Sequence, residues 1–94
     1  MNDLNAKFET VLRQWELNDG DRKRLMEIAR GDERAKIQLL EIAKLLDMLL
    51  PKGNAYGWVS RENKAFNNKP AIAVMRDEGA PGVERVFKYL LASI

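Results

Sequence analysis

Leu50-Pro51-Lys52-Gly53-Asn54-Ala55-Tyr56-Gly57-Trp58-Val59-Ser60-Arg61-Glu62-Asn63-Lys64-Ala65-Phe66-Asn67-Asn68-Lys69-Pro70 is the stretch around which this chain is organised. Helix-forming sequence flanks it on both sides. Within it, glycines and prolines alternate with Tyr56, Trp58, Phe66 and several asparagines. Large rings beside turn formers describe irregular backbone pinned to a core. A linker would carry small polar residues at those positions. The stretch reads as a structured joint.

Local order inside the joint follows from the turn formers. Residues 54–59 suit one loose helical turn that brings Tyr56 and Trp58 onto the core. Ser60 is placed to cap a short helix, with Glu62 and Asn63 in its first turn and Ala65 and Phe66 on its inner face. Asn67-Asn68-Lys69 is a turn, and Pro70 suits the first position of another short helix carrying Ile72, Val74 and Met75. Asp77-Glu78-Gly79-Ala80 breaks that helix. Pro81 opens the last one, where Val83, Val86, Phe87, Leu90, Leu91 and Ile94 form a single apolar stripe.

Upstream, Asn2 or Asp3 can cap a first helix whose stripe is Leu4, Phe8, Val11, Leu12 and Trp15. Trp15 belongs to the core on that pattern. Asn18-Asp19-Gly20 ends the helix. Asp19 or Asp21 can start a second, with Leu25, Met26, Ile28 and Ala29 apolar and Gly31 as its C-terminal cap. Asp32 caps a third. Its apolar positions, from Ala35 to Leu50, are too many for one face, so it is a central helix or a dimer contact. Pro51 and Gly53 stop it. The expected fold is all-α: a compact bundle of about five or six helices, with short helices around a Trp/Pro joint and an amphipathic C-terminal helix.

Composition limits the function. The chain has 94 residues, 46% of them hydrophobic and 32% charged, which describes one globular domain. Its longest mainly apolar run, residues 39–50, is interrupted by Glu41, Lys44 and Asp47, so no membrane span is expected. The N-terminus has no signal-peptide pattern, and the expected location is cytoplasmic. With no Cys, a disulfide, a thiolate metal site and a thiol nucleophile are impossible. With no His, an imidazole base or metal ligand is impossible too. No cofactor site and no enzyme are expected. Net charge is +2, and residues 1–50 hold nine basic and ten acidic side chains against seven and four in residues 51–94. Arg22-Lys23-Arg24 is the one cluster that suggests phosphate contact. Its acidic neighbours Asp19, Asp21 and Glu27 favour an ordinary solvated face, so nucleic-acid binding is expected to be weak.

Trp58, four residues, Asn63, two residues, Phe66, three residues and Pro70, followed by the Gly79 break and an amphipathic last helix, resemble the toxin-binding domain of the Xre/MbcA/ParS antitoxins. The resemblance covers residues 32–94, and residues 1–31 fit only loosely as a reduced helix-turn-helix-like region. It implies an antitoxin that binds a cognate RES-domain toxin, an NAD-consuming or ADP-ribosylating protein, and covers its active-site cleft. It also implies a homodimer. Carried over by position, Trp58, Asn63, Phe66, Pro70 and Gly79 shape the domain. Arg61, Lys64, Asn67, Asn68 and Lys69, with Lys88, Leu91, Ser93 and Ile94, would face the toxin. Two departures stand out. No recognition helix fits between Gly31 and the third helix, and the chain stops at Ile94 where family members often continue with a short tail. Two other readings remain: a DNA-binding regulator of its own operon, and a helical dimerisation module without a toxin partner.

Overall fold

The computed structural model describes residues 3–50 and 55–94, with side chains described for residues 6–50 and 57–94. The proposed cap Asn2, the helix stop at Pro51 and Gly53, and the side chains of Leu4 and Tyr56 lie outside them. Among the described residues six α-helices follow one another: α1 (Asp3–Gln14), α2 (Asp19–Gly31), α3 (Glu33–Leu49), the single turn α4 (Ala55–Trp58), α5 (Ala71–Glu78) and α6 (Ala80–Leu91). Between α4 and α5 lie two two-residue strands, β1 (Glu62–Asn63) and β2 (Lys69–Pro70), joined through a 3-10 turn at Lys64–Phe66. The expected all-α bundle is the fold observed.

The first three helices are set by their caps. Asn18, not Asp19 or Asp21, caps α2: its side chain accepts from the Asp21 N–H at 2.8 Å. That leaves Asp19 and Asp21 in the first turn, where their charge complements the helix dipole. Gly31 is the last residue of α2 rather than the residue beyond it. Asp32 follows with extended backbone and caps α3 by accepting from the Ala35 N–H at 3.1 Å. One residue therefore ends one helix and starts the next.

Helix α3 lies at the centre, touching α1, α2, α4 and α6. Ala35, Leu39, Ile42, Leu45 and Leu46 face the core, joined from α1 and its end by Phe8, Leu12 and Trp15 and from α2 by Leu25 and Ile28. Each large apolar side chain removed from water stabilises the fold by about 1.5–3 kcal/mol. The surface ion pairs, such as Arg34–Glu84 at 3.0 Å, add between about 0 and 1 kcal/mol each. The core decides the fold.

Helix α5 is apolar all round in its first five residues: Ala71, Ile72, Ala73, Val74 and Met75 are all buried. Gly79 then turns the chain with φ 73° and ψ −141°, a conformation only glycine adopts without strain, and α6 runs back along α5. The two helices meet at Gly82. A Cβ there would collide with the Val74 carbonyl oxygen and lie 2.9 Å from the Glu78 Cβ. Helix α2 closes the other side of α5. Arg24 donates to the Arg76 carbonyl at 3.0 Å, and Arg76 pairs with Asp21 at 3.3 Å. Arg76 also hydrogen-bonds Asp77 at 3.1 Å, which holds that exposed carboxyl below the usual carboxylate range.

The α6 stripe differs from expectation at its end. Val83, Val86 and Leu90 are buried and Phe87 half-buried, but Leu91 and Ile94 are 49% and 68% exposed. The helix ends at Leu91, and in its last turn Leu90 is buried while Leu91 stands in solvent. Gly82→Ala is expected to lower stability by about 2 kcal/mol, or roughly 10 °C in Tm. Gly31→Ala, where a Cβ meets nothing within 4 Å, should hold or slightly raise it. Thermal unfolding followed by circular dichroism measures both.

Candidate partner-binding surface

The joint is a small hairpin set on α6. Val59 is fully buried, and its carbonyl accepts from the Ile72 N–H at 2.9 Å, tying the joint to the first turn of α5. Further along, Glu62 and Asn63 run antiparallel to Lys69 and Pro70, with Glu62 opposite Pro70 and Asn63 opposite Lys69. The expected Ser60-capped helix is not formed. Asn63 is the cap: its side chain accepts from the Ala65 N–H at 2.9 Å, and its carbonyl accepts from the Asn68 N–H at 3.0 Å. The turn it starts lasts only from Lys64 to Phe66, because Asn67 and Asn68 both take positive φ, 58° and 66°. Asparagine tolerates that left-handed backbone better than other side chains. Pro70 sits at the end of β2, where the missing N–H costs no intrahelical bond, and caps α5 instead of opening it.

Three rings lock this hairpin to the last helix. Phe66 is buried, with its ring 6.4 Å from Trp58 at 81° and 5.2 Å from Tyr89 at 66°. Trp58 is half-buried and lies nearly parallel to Tyr89, centroids 6.4 Å apart at 15°. The Arg85 guanidinium sits 5.7 Å from the Phe66 ring centre and pairs with Glu78 at 2.9 Å. Edge-to-face and offset arrangements of this kind add about 0.5–1.5 kcal/mol per pair beyond burial. Tyr89 and Arg85 were not among the residues singled out from the sequence. The signal available was their i, i+4 spacing on the polar side of the last helix.

The residues that the resemblance implies as toxin-facing fall into two groups, one on the hairpin and one around the end of α6. Arg61, Lys64, Asn67, Asn68 and Lys69 are exposed on the hairpin. Arg61 also reaches back to the Gly57 carbonyl at 3.4 Å. Lys88, Leu91, Ser93 and Ile94 are exposed around the end of α6. There Lys88 leans toward Glu84 at 3.8 Å, and the Ser93 hydroxyl donates to the Tyr89 carbonyl at 3.0 Å. The surface offers cations, amides and apolar ends around a rigid aromatic base, equipment suited to holding another macromolecule.

The basic triplet lies elsewhere. Arg22 pairs with Asp19 at 2.7 Å, Arg24 holds the end of α5, and Lys23 is exposed. Among the described residues no three His, Cys, Asp or Glu side chains cluster to hold a metal ion, and no helix is long and apolar enough to cross a membrane. The chain matches no protein-family model, no curated protein and no solved structure.

Asn63→Ala is expected to cost about 1 kcal/mol through the lost cap. Asn68→Gly should be neutral or mildly stabilising, and Asn68→Val destabilising by about 1–2 kcal/mol. Denaturant unfolding of the three variants distinguishes a cap from a strained turn.

Proposed function

We propose that this chain is an antitoxin that binds and neutralises a RES-domain toxin, acting as a homodimer. The toxin is one that consumes NAD or transfers ADP-ribose, and the hairpin and the end of α6 cover its active-site cleft. One observation carries the reading. Four of the residues behind the resemblance have interlocking jobs in one unit. Trp58 and Phe66 form the aromatic base with Tyr89, Asn63 caps the turn between them, and Pro70 pairs across the hairpin. What supports the reading is the division of tasks among them, since residues of one short segment lie near one another in any fold. The unit they build also gives the exposed Lys64, Asn67, Asn68 and Lys69 a mount, which lowers the entropy lost on binding.

The DNA-binding alternative draws less support. Arg22 and Arg24 are engaged within the chain, and α3, which follows at once, is packed on other helices rather than presented to a groove.

The test is purification of the chain, tagged at its N-terminus, from its own host. The expected result is a stoichiometric partner with a RES-type sequence. Lys64→Glu combined with Lys69→Glu should weaken that complex at least about tenfold while leaving the melting curve unchanged. Trp58→Ala should instead lower stability by about 3 kcal/mol. An empty purification from cells that express a RES-domain protein, or full affinity in the double charge reversal, sinks the assignment of this surface.

A further inference from the structure

The side of α3 turned away from the core carries a row of its own. Ile37, Glu41, Lys44 and Met48 are spaced by four, three and four residues, which makes one stripe along the helix. The two apolar ends are 46% and 69% exposed. The two charges between them pair within the helix at 3.5 Å. Along the edge of this row runs an open groove of about 440 Å³ between α3 and α1, lined by half-buried Leu40 and Ala43 on α3 and by Ala6, Lys7, Thr10 and Gln14 on α1.

The row is symmetric about its midpoint. Reversing the helix direction about a point between Ile42 and Ala43 exchanges position 37 with 48 and position 41 with 44. A second copy laid antiparallel along this face therefore sets Ile37 against the other copy's Met48 at both ends. It sets Glu41 opposite the other copy's Lys44 twice at the centre. A two-fold interface needs this kind of self-complementarity, since each patch must fit itself. A parallel arrangement would oppose Glu41 to Glu41 and Lys44 to Lys44 and be repelled.

We propose that this face is the contact between two copies of the chain, with the α3 helices antiparallel about a two-fold axis level with Ile42 and Ala43. The proposal deepens the homodimer of the preceding reading and rests on that part alone. It needs no toxin, so its test is separate.

The experiment is sedimentation equilibrium on the purified full chain and on Glu41→Lys, Lys44→Glu and the double variant, with circular dichroism as the folding check. The wild-type chain is expected to dimerise. Each single variant places like charges opposite each other at both central contacts and should raise the dimer Kd at least about tenfold. The double variant restores opposite charges at both contacts and should return the wild-type Kd. An equimolar mixture of the two single variants is the sharpest arm. One variant carries only cations at these two positions and the other only carboxylates, so every central contact between them joins opposite charges. A heterodimer should then form more tightly than either variant self-associates. A wild-type monomer at concentrations on the order of 100 µM overturns the proposal. So do single variants that dimerise like wild type, or a mixture that gains nothing.

Discussion

A helix as short as α5 does not hold itself together in water, because nucleation costs more than so few hydrogen bonds return. Its side chains from Ala71 to Met75 are all buried. It exists only because every neighbour is in place. Helix α6 presses against it at Gly82, the Val59 carbonyl takes its first-turn N–H, and Arg24 takes a carbonyl at its far end. The rest of the C-terminal half inherits this dependence. The hairpin leads directly into α5 through Pro70, and α6 leaves it through Gly79, so α5 sets the placement of both sides of the aromatic base.

This arrangement explains how a surface of short loops can be rigid. The hairpin from Glu62 to Pro70 has little apolar area of its own. Phe66 supplies most of what there is, and it is clamped by Trp58 from before the hairpin and by Tyr89 and Arg85 from α6. The exposed Lys64, Asn67, Asn68 and Lys69 are thereby fixed from below while their polar ends stay in water. The same short segment is divided between core and solvent, rings inward and amides and cations outward.

Much of this was legible in the sequence where one physical signal dominated. Helical periodicity located α1, α2, α3 and α6, and it placed Phe8, Leu12 and Trp15 in the core. The excess of apolar positions on α3 marked its central place. Legibility failed where two signals competed. At residues 60–66, Ser60 looked like a helix cap, but the left-handed pair Asn67-Asn68 leaves no length for a helix, and Asn63 captures the turn. At the end of α6, periodicity continued past the point where there is a core to cover, so Leu91 and Ile94 emerge into solvent. The role of Tyr89 is not legible because its partners, Trp58 and Phe66, are brought to it only by the hairpin. Pairing between residues so distant in the chain leaves no periodic trace.

The hydrogen bond from Arg24 to the Arg76 carbonyl joins positions 52 residues apart. Contacts within the hairpin and between α5 and α6 are local by comparison, and closing a long loop carries an entropic cost that short-range contacts escape. The expected order of assembly therefore starts in the C-terminal half, with α2 docking late onto the end of α5. The same order runs backward in the folded state. Amide protons at the start of α2 should exchange with solvent through a local opening that releases Arg24 and Asp21, well before those of α5 and α6 give way.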